Sequence, residues 1–256
     1  MSWSAKQYLA FEAERTRPVR DLLAALPPIQ AHAVIDLGCG PGNSTEVLAA
    51  CFPQANISGI DSSSDMIAAA RRRLPHVSFV IGDLEAWKDA GPFDVILANA
   101  VLQWVAHHES LLPRWVNRLA PGGALAVQMP DNLDEPAHRL MRQVAAGGPW
   151  AAKLAAASAA RAACPSAAWY YELLRPLCSK VDLWRTTYYH FLSGGAGAVV
   201  EWFKGSGLRP FLEPLNTAER AAFLEHYTAA IAQAYPQSAD GSVLLPFPRF
   251  FLAAIR

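Results

Sequence analysis

Val34-Ile35-Asp36-Leu37-Gly38-Cys39-Gly40-Pro41-Gly42-Asn43-Ser44-Thr45 is the stretch around which the chain is arranged. An apolar run enters it, a glycine-rich turn follows, and a helical pattern leaves it from about Ser44. That order makes a strand–turn–helix unit, the nucleotide-binding corner of a doubly wound α/β fold. The glycines free the backbone to take unusual angles and remove Cβ atoms that would hold a ligand away. The spacing is G-x-G-x-G. Asn43 stands where a dinucleotide binder carries its third glycine, and no Lys-Ser/Thr pair follows to make a P-loop. An ordinary tight turn is the alternative reading of the glycines alone.

Outward from this corner, Ile57-Ser58-Gly59-Ile60-Asp61 reads as a second strand ending in an acid roughly 20 residues after the glycines. There a carboxylate accepts from both vicinal hydroxyls of a ribose. One of Ser62, Ser63 and Ser64 caps the next helix, which carries Met66 and Ile67 and ends at Arg71-Arg72-Arg73, where cations suit the helix dipole. A third strand, 77–81, leads into Gly82-Asp83-Leu84-Glu85, where Asp83 can accept from an adenine amine with Leu84 beside the ring. A fourth, 93–98, leads into Asn99-Ala100-Val101-Leu102-Gln103-Trp104. After a helix at 110–119, Pro121-Gly122-Gly123 opens a fifth strand, 124–128. Each candidate ligand residue follows a strand's C-terminal end, the crevice side of an open α/β sheet. Asp36 and Asp61 suit a ligand with an ammonium group and a ribose but no pyrophosphate. S-adenosylmethionine is such a ligand.

The chain's 256 residues are 52% hydrophobic with zero formal net charge, so no basic excess attracts nucleic acid. No stretch reaches the ~18 apolar residues of a membrane span, and charges run through residues 1–20, which excludes a signal peptide. Cys39, Cys51, Cys164 and Cys178 lack metal-ligand spacing and read as reduced thiols of a cytoplasmic protein, so no metal is expected. Residues 12–26 read as a helix stopped by Pro27-Pro28. Trp3 and Tyr8 before it either cover a cofactor or pack as an N-terminal staple. After Gln128 the pattern changes to a helix at 131–144, an alanine-rich, irregular or mobile helical insertion at 145–168 and a helix at 169–177. A β-branched and aromatic strand follows at 181–192, then a helix at 217–235 with Phe223, Tyr227 and Ile231 at helical spacing. The last strand, 243–255, carries Pro246 and Pro248, which place it at or near a sheet edge. The expectation is one α/β domain. It has a cofactor-binding core at 1–130, helical insertions plus strand 181–192 as a substrate cap or lid at 131–242, and a final strand at 243–256.

Together, DLGCGPGNST, GID, GDLEAW, FDVILANAVLQW and LAPGGALAVQMP resemble the class I S-adenosylmethionine-dependent methyltransferases. More narrowly, six stretches resemble the trans-aconitate 2-methyltransferase family. They are Phe11-Glu12-Ala13-Glu14-Arg15-Thr16-Arg17-Pro18, Asn99 to Trp104, Ala126-Val127-Gln128-Met129-Pro130-Asp131-Asn132, Trp184-Arg185-Thr186-Thr187-Tyr188-Tyr189-His190, Gly207-Leu208-Arg209-Pro210 and Phe247-Pro248-Arg249. The departure lies at 145–168, alanine-rich where a more polar segment is expected. The resemblance implies a Rossmann-like fold, a mostly parallel seven-stranded sheet with an antiparallel last strand. It implies methyl transfer from S-adenosylmethionine to one carboxylate of trans-aconitate, giving the monomethyl ester and S-adenosylhomocysteine. It also implies a cofactor site. Asp36 and the turn residues Gly38, Cys39, Gly40 and Asn43 hold the methionine end, with Asn99 close by. Asp61 holds the ribose, and Asp83 with Leu84 the adenine. Ser62, Met66, Trp104 and Tyr8 complete the set.

A carboxylate acceptor is ionised at neutral pH, so no general base is needed and none is named. An acid with three carboxylates must be held by two while the third reacts, and arginine does this through paired charge-assisted hydrogen bonds. Arg185, Arg209 and Arg249, among aromatic and apolar neighbours, are the candidates, with Tyr188, Tyr189, Gln103 and Trp104. Each arginine also reads as a surface charge or a structural ion pair, Trp104 as core packing and His190 as structural. On a strand, Arg185, Thr187 and Tyr189 share one face, and Trp184, Thr186, Tyr188 and His190 the other. The expected partner is a small tricarboxylate, with neither nucleic acid nor membrane, and the chain a monomer or weak dimer. Two other readings stay open. One is a carboxyl methyltransferase for another acid such as malonyl-carrier protein, which needs a basic docking surface. The other is a catalytically silent S-adenosylmethionine-binding module, which turnover distinguishes.

Overall fold

The computed structural model of the chain describes residues 12–88, 91–159 and 163–256. The first half runs α1 (Glu12–Ala24), β1 (Ala33–Leu37), α2 (Asn43–Cys51), β2 (Asn56–Asp61), α3 (Ser64–Arg73), β3 (Ser78–Ile81), β4 (Phe93–Asn99), α4 (His108–Val116) and β5 (Leu119–Pro130). The second runs α5 (Pro136–Gly147), α6 (Ala151–Ala159), α7 (Ala167–Leu174), β6 (Lys180–Leu192), α8 (Gly195–Lys204), α9 (Arg209–Leu212), α10 (Thr217–Ala234) and β7 (Val243–Ile255). The chain folds into two compact units: residues up to 130 with 164–186 and 250–256, and residues 131–163 with 187–249.

The seven strands form one sheet in the order β3-β2-β1-β4-β5-β7-β6. β1 to β5 pair in parallel. Strands covered on both faces read as continuous apolar runs, and β1 (AVIDL) and β4 (FDVILAN) do so. Their side chains join Leu112, Trp115, Leu125 and Val127 in one buried core. After β3 the chain crosses back to lay β4 beside β1, so the order reverses between β1 and β4, and an open sheet has its crevice at such a point. In α3, the Ser63 hydroxyl caps the N-terminus by accepting from the Met66 N–H at 3.4 Å.

β7 runs antiparallel to its neighbours. Its end meets the start of β5, where the Gly122 N–H donates to the Arg256 carbonyl and the Arg256 N–H to the Gly123 carbonyl, each at 2.9 Å. The Ser179 N–H, just before β6, donates to the Ile255 carbonyl at 2.7 Å. The prolines were expected to put the last strand at or near an edge, and β7 lies next to the edge strand, β6. The Pro248 carbonyl accepts from the Asp131 N–H, one residue past the end of β5. Pro246 therefore lies where β5 has run out, and its missing donor leaves no rung unmade.

In the second unit, α10 opens with a capping box between Asn216 and Glu219. It buries Phe223, Tyr227 and Ile231, as their spacing predicts. The Tyr227 hydroxyl donates to the Ala137 carbonyl and the Tyr235 hydroxyl accepts from the Ala137 N–H, both at 3.1 Å, tying α10 to α5. Part of the alanine-rich segment forms α6, in keeping with alanine's helix propensity. Among the described residues no helix is long and apolar enough to cross a membrane.

Candidate functional site

The glycine turn is tied down from both sides. The Gly38 and Cys39 N–H groups donate to the Ile60 carbonyl at 2.8 and 3.0 Å. The Gly40 N–H donates to Asp61 Oδ2 at 3.0 Å and the Ser63 N–H to Asp61 Oδ1 at 2.8 Å. Gly38 and Gly40 have φ of 73° and 54°, in the left-handed region that favours glycine. A Cβ on Gly38 would meet Val101 Cγ2 at 2.4 Å, whereas one on Gly40 would meet nothing within 4 Å. The backbone at Gly40 is thus open to a ligand.

Beside the turn lies a cleft of about 330 Å³, lined by Gly38, Gly40, Asp61, Ser62, Met66, Asp83, Leu84, Glu85, Asn99, Ala100, Val101, Trp104 and Val105. Each wall residue comes from the end of a parallel strand, the turn after it or the start of the next element. Burial raises the Asp61 pKa, and its two backbone donors pull it back down. A carboxylate oxygen accepts more than one hydrogen bond, so both Asp61 oxygens keep capacity for a ligand's hydroxyls. Asp83 Oδ1 accepts from the Glu85 N–H at 2.8 Å, which folds the 83–85 loop along the cleft. Three carboxylates line the cleft and no described residue there is cationic, so it favours donors and cations.

The opposite wall is held by amides. Gln128, fully buried, donates from Nε2 to Asn99 Oδ1 at 2.5 Å, which directs the Asn99 NH₂ group away from Gln128. Ala100 has φ 53°, a strained value for a residue with a side chain. It is held by its N–H donating to the Gln128 carbonyl and by Gln103 Nε2 donating to its carbonyl, both at 2.7 Å.

A smaller hollow shares Gly38, Gly40 and Asn99 with the cleft and adds Arg15, Thr16, Val19, Cys39, Asn43 and Ser44. Of the expected cofactor residues, the cleft gathers Gly38, Gly40, Asp61, Ser62, Met66, Asp83, Leu84, Asn99 and Trp104, and the hollow adds Cys39 and Asn43. Asp36 lines neither. It is fully buried behind the turn, where Oδ2 accepts from the Ser44 and Thr45 hydroxyls at 2.7 Å each. Burial pushes the Cys39 thiol up, so it stays protonated and is no nucleophile. Tyr8 lies outside the described residues.

The expected acid-binding residues are more dispersed. Gln103 is turned onto its own loop by its bond to Ala100 and does not line the cleft. Arg185 stands on the exposed face of β6, in the first unit. In the second unit, Tyr188 is buried and Tyr189 on the opposite face is 62% exposed. Arg209 pairs with Glu213 at 3.3 Å. Arg249 is buried, its guanidinium 4.9 Å from the Phe247 ring centre. His190, also buried, stacks on Trp202 with ring centres 4.3 Å apart. Sequence reasoning missed Glu85, Ala100, Val101 and Val105 in the cleft and Arg15 and Thr16 in the hollow. Arg15 and Thr16 lie within a stretch already singled out, Phe11 to Pro18, which was the available signal.

The family described as "Methyltransferase domain" matches residues 34–123. Solved structures with this fold include the YcgJ protein of Bacillus subtilis, 10% identical, TM-score 0.61, covering 94% of this chain and 98% of that one. Another is the phosphoethanolamine N-methyltransferase 2 of Haemonchus contortus in complex with S-adenosyl-L-methionine, 15% identical, TM-score 0.56, covering 94% and 52%. The fold and the strand-end cleft are those of a class I methyltransferase. Similarity at the level of sequence goes further. Trans-aconitate 2-methyltransferase of Methylobacterium nodulans is 57% identical over 99% of this chain and 98% of its own length. The same-named proteins of Azoarcus sp. and Yersinia pestis are 52% and 51% identical, over 100% and 98% of this chain and 99% and 97% of theirs. The chain belongs to the trans-aconitate 2-methyltransferase family.

Proposed function

We propose that the chain transfers a methyl group from S-adenosylmethionine to a carboxylate of trans-aconitate, giving the monomethyl ester and S-adenosylhomocysteine. The observation that carries the reading is a cleft with an open glycine turn and a strand-end acid on each of β2 and β3, in a chain 57% identical to a trans-aconitate 2-methyltransferase. The residues present fit this cofactor. Asp61 has acceptor capacity for the ribose hydroxyls, and the exposed Asp83 carboxylate can accept from the adenine amine beside Leu84. Met66, Val101 and Val105 give the apolar surface an aromatic ring and a thioether chain need. Gly40 lets the backbone approach.

When bound, the cofactor supplies an electrophilic methyl group on a sulfonium. The acceptor carboxylate is already ionised, so no side chain has to remove a proton. What this chain contributes is position and exclusion of water. Trp104, Val101 and Val105 wall the cleft against solvent, and Asn99, fixed by Gln128, presents an N–H group at the turn's edge. The sulfonium cation and the reacting carboxylate become a neutral thioether and a neutral ester group, so a site that strips water from the acceptor favours the step. Alignment supplies at most about 7–11 kcal/mol of the barrier reduction.

The test is incubation with S-adenosylmethionine and trans-aconitate, cis-aconitate or citrate, measuring S-adenosylhomocysteine. Fast turnover with trans-aconitate and little with the others is expected. Cofactor binding without turnover of any acid would leave a silent binding module in its place.

A further inference from the structure

We propose that His108 and Tyr170 are positioning residues for the wall of the cleft, an inference that rests on the methyltransferase reading above. Val101, Trp104 and Val105 of that wall stand on the loop between β4 and α4. The loop carries strain at both ends. Ala100 and His107 have φ of 53° and 57°, unfavourable values for residues with side chains. Between them Leu102–Trp104 make one 3₁₀ turn. The Trp104 N–H donates to the Val101 carbonyl at 2.9 Å and the Val105 N–H to the Leu102 carbonyl at 3.0 Å. A single turn of this kind has few bonds of its own to set against the strain.

The anchor comes from outside the loop. His108, buried at the start of α4, reaches back to place Nε2 2.9 Å from the Leu102 carbonyl. Its Nδ1 lies 2.8 Å from the hydroxyl of Tyr170 on α7. A carbonyl only accepts, so Nε2 carries the proton. In the neutral ring Nδ1 then accepts, and the Tyr170 hydroxyl donates to it. That donation settles the tautomer. Tyr170 has no exposed surface and stacks on Phe250 with ring centres 5.3 Å apart, which fixes where its hydroxyl points. A chain of hydrogen bonds therefore runs from α7 through His108 to the turn that carries Trp104. Neither His108 nor Tyr170 lines the cleft, so both act through that turn.

The test joins kinetics to nitrogen-15 NMR on the full-length wild type, His108→Leu, His108→Gln and Tyr170→Phe. A glutamine amide puts an N–H where the imidazole Nε2 stood, and leucine puts none. The wild-type ring should give the signature of a proton on Nε2. His108→Leu should lower kcat about 10- to 100-fold and change S-adenosylhomocysteine affinity by less than about threefold, since Asp61 and Asp83 face the nucleoside from other loops. His108→Gln should recover most of the loss. The proposal is overturned by a proton on Nδ1, by a leucine variant as fast as wild type, by a glutamine variant as slow as the leucine one, or by a loss that falls on S-adenosylhomocysteine affinity instead of kcat. If His108→Leu does not fold, Tyr170→Phe decides. It keeps the stacked ring and removes the hydroxyl alone; kcat should drop severalfold, and an unchanged kcat sinks the idea. A wild type that binds S-adenosylhomocysteine yet turns over no acid would instead remove the acceptor assigned above. The Trp104 indole N–H signal, identified by its loss in Trp104→Phe, then decides. It shifts in Tyr170→Phe if the chain of bonds sets the turn, and stays in place if it does not.

Discussion

Asp36, the last residue but one of β1, has no exposed surface, and its Oδ1 has no hydrogen-bond partner among the described residues. Burial raises its pKa to about 6, opposed by the Ser44 and Thr45 hydroxyls and helped by the nearby Asp61 charge. The sign follows from comparing folded and unfolded chains. Between pH 3.8 and about 6 the folded chain keeps a proton that the unfolded chain has released. Stability from this group is therefore present at the acid end and lost as pH rises through that window, by about 3 kcal/mol. Asp36→Asn keeps an acceptor for the hydroxyls and removes the buried charge. Its melting temperature, less that of wild type, should climb from pH 4 to 6.5 and level off above 7. Parallel curves would remove Asp36 as the source. Residues of this kind mark the limit of sequence reading. Asp61 and Asp83 could be placed at the cleft because Asp61 ends a strand and Asp83 comes two residues after one. Asp36 stands one residue from Leu37 and two from Gly38, yet the fold of Ser44 and Thr45 over it puts it behind the turn, and no spacing shows that. Arg15 was hidden for the converse reason. It lines a hollow with turn residues more than twenty positions away, and helical periodicity alone leaves a residue at the margin of the buried face undecided.

The loop after β3 is held by a helix as well as by its own Asp83–Glu85 hydrogen bond. From α4, Arg114 Nη1 donates to the Glu85 carbonyl at 3.0 Å and Nη2 to the Trp87 carbonyl at 3.2 Å. Arg118 reaches the same Trp87 carbonyl at 3.4 Å and lies over the Trp87 ring. Two guanidinium groups thus clamp the segment that carries Asp83, Leu84 and Glu85. Arg114→Ala removes two hydrogen bonds at about 1 kcal/mol each and frees the loop. Affinity for both S-adenosylhomocysteine and methylthioadenosine should fall, by roughly 10-fold, because the nucleoside end is common to them. Calorimetry showing unaltered affinity for methylthioadenosine would mean the loop holds its shape without the clamp. The elements themselves were largely legible. The helix at 43–51 and the buried stripe of α10 follow from glycine placement and from 3.6-residue spacing. The neighbours of β7 were not. Proline tolerance depends on where the adjacent strand ends, and that is a property of β5, more than a hundred residues earlier.

At the scale of the molecule, the chain passes between its two compact units four times, after residues 130, 163, 186 and 249. Two of those passages fall inside β6 and β7, each a continuous 13-residue strand. Neither unit is a separate length of chain, and cutting between them means cutting strands of the one sheet. No linker composition marks such a division, which is why the sequence read as one domain with an insertion. Continuous strands should make unfolding cooperative even though the cleft belongs wholly to the first unit. Calorimetry should then give a single peak, with van't Hoff and calorimetric enthalpies equal. S-adenosylhomocysteine at 100 times its dissociation constant adds about 2.7 kcal/mol to the folded state, enough to move that whole peak upward by about 5–10 °C. Two peaks, of which the ligand moves one, would show that β6 and β7 yield at the unit boundary and that the second unit melts on its own.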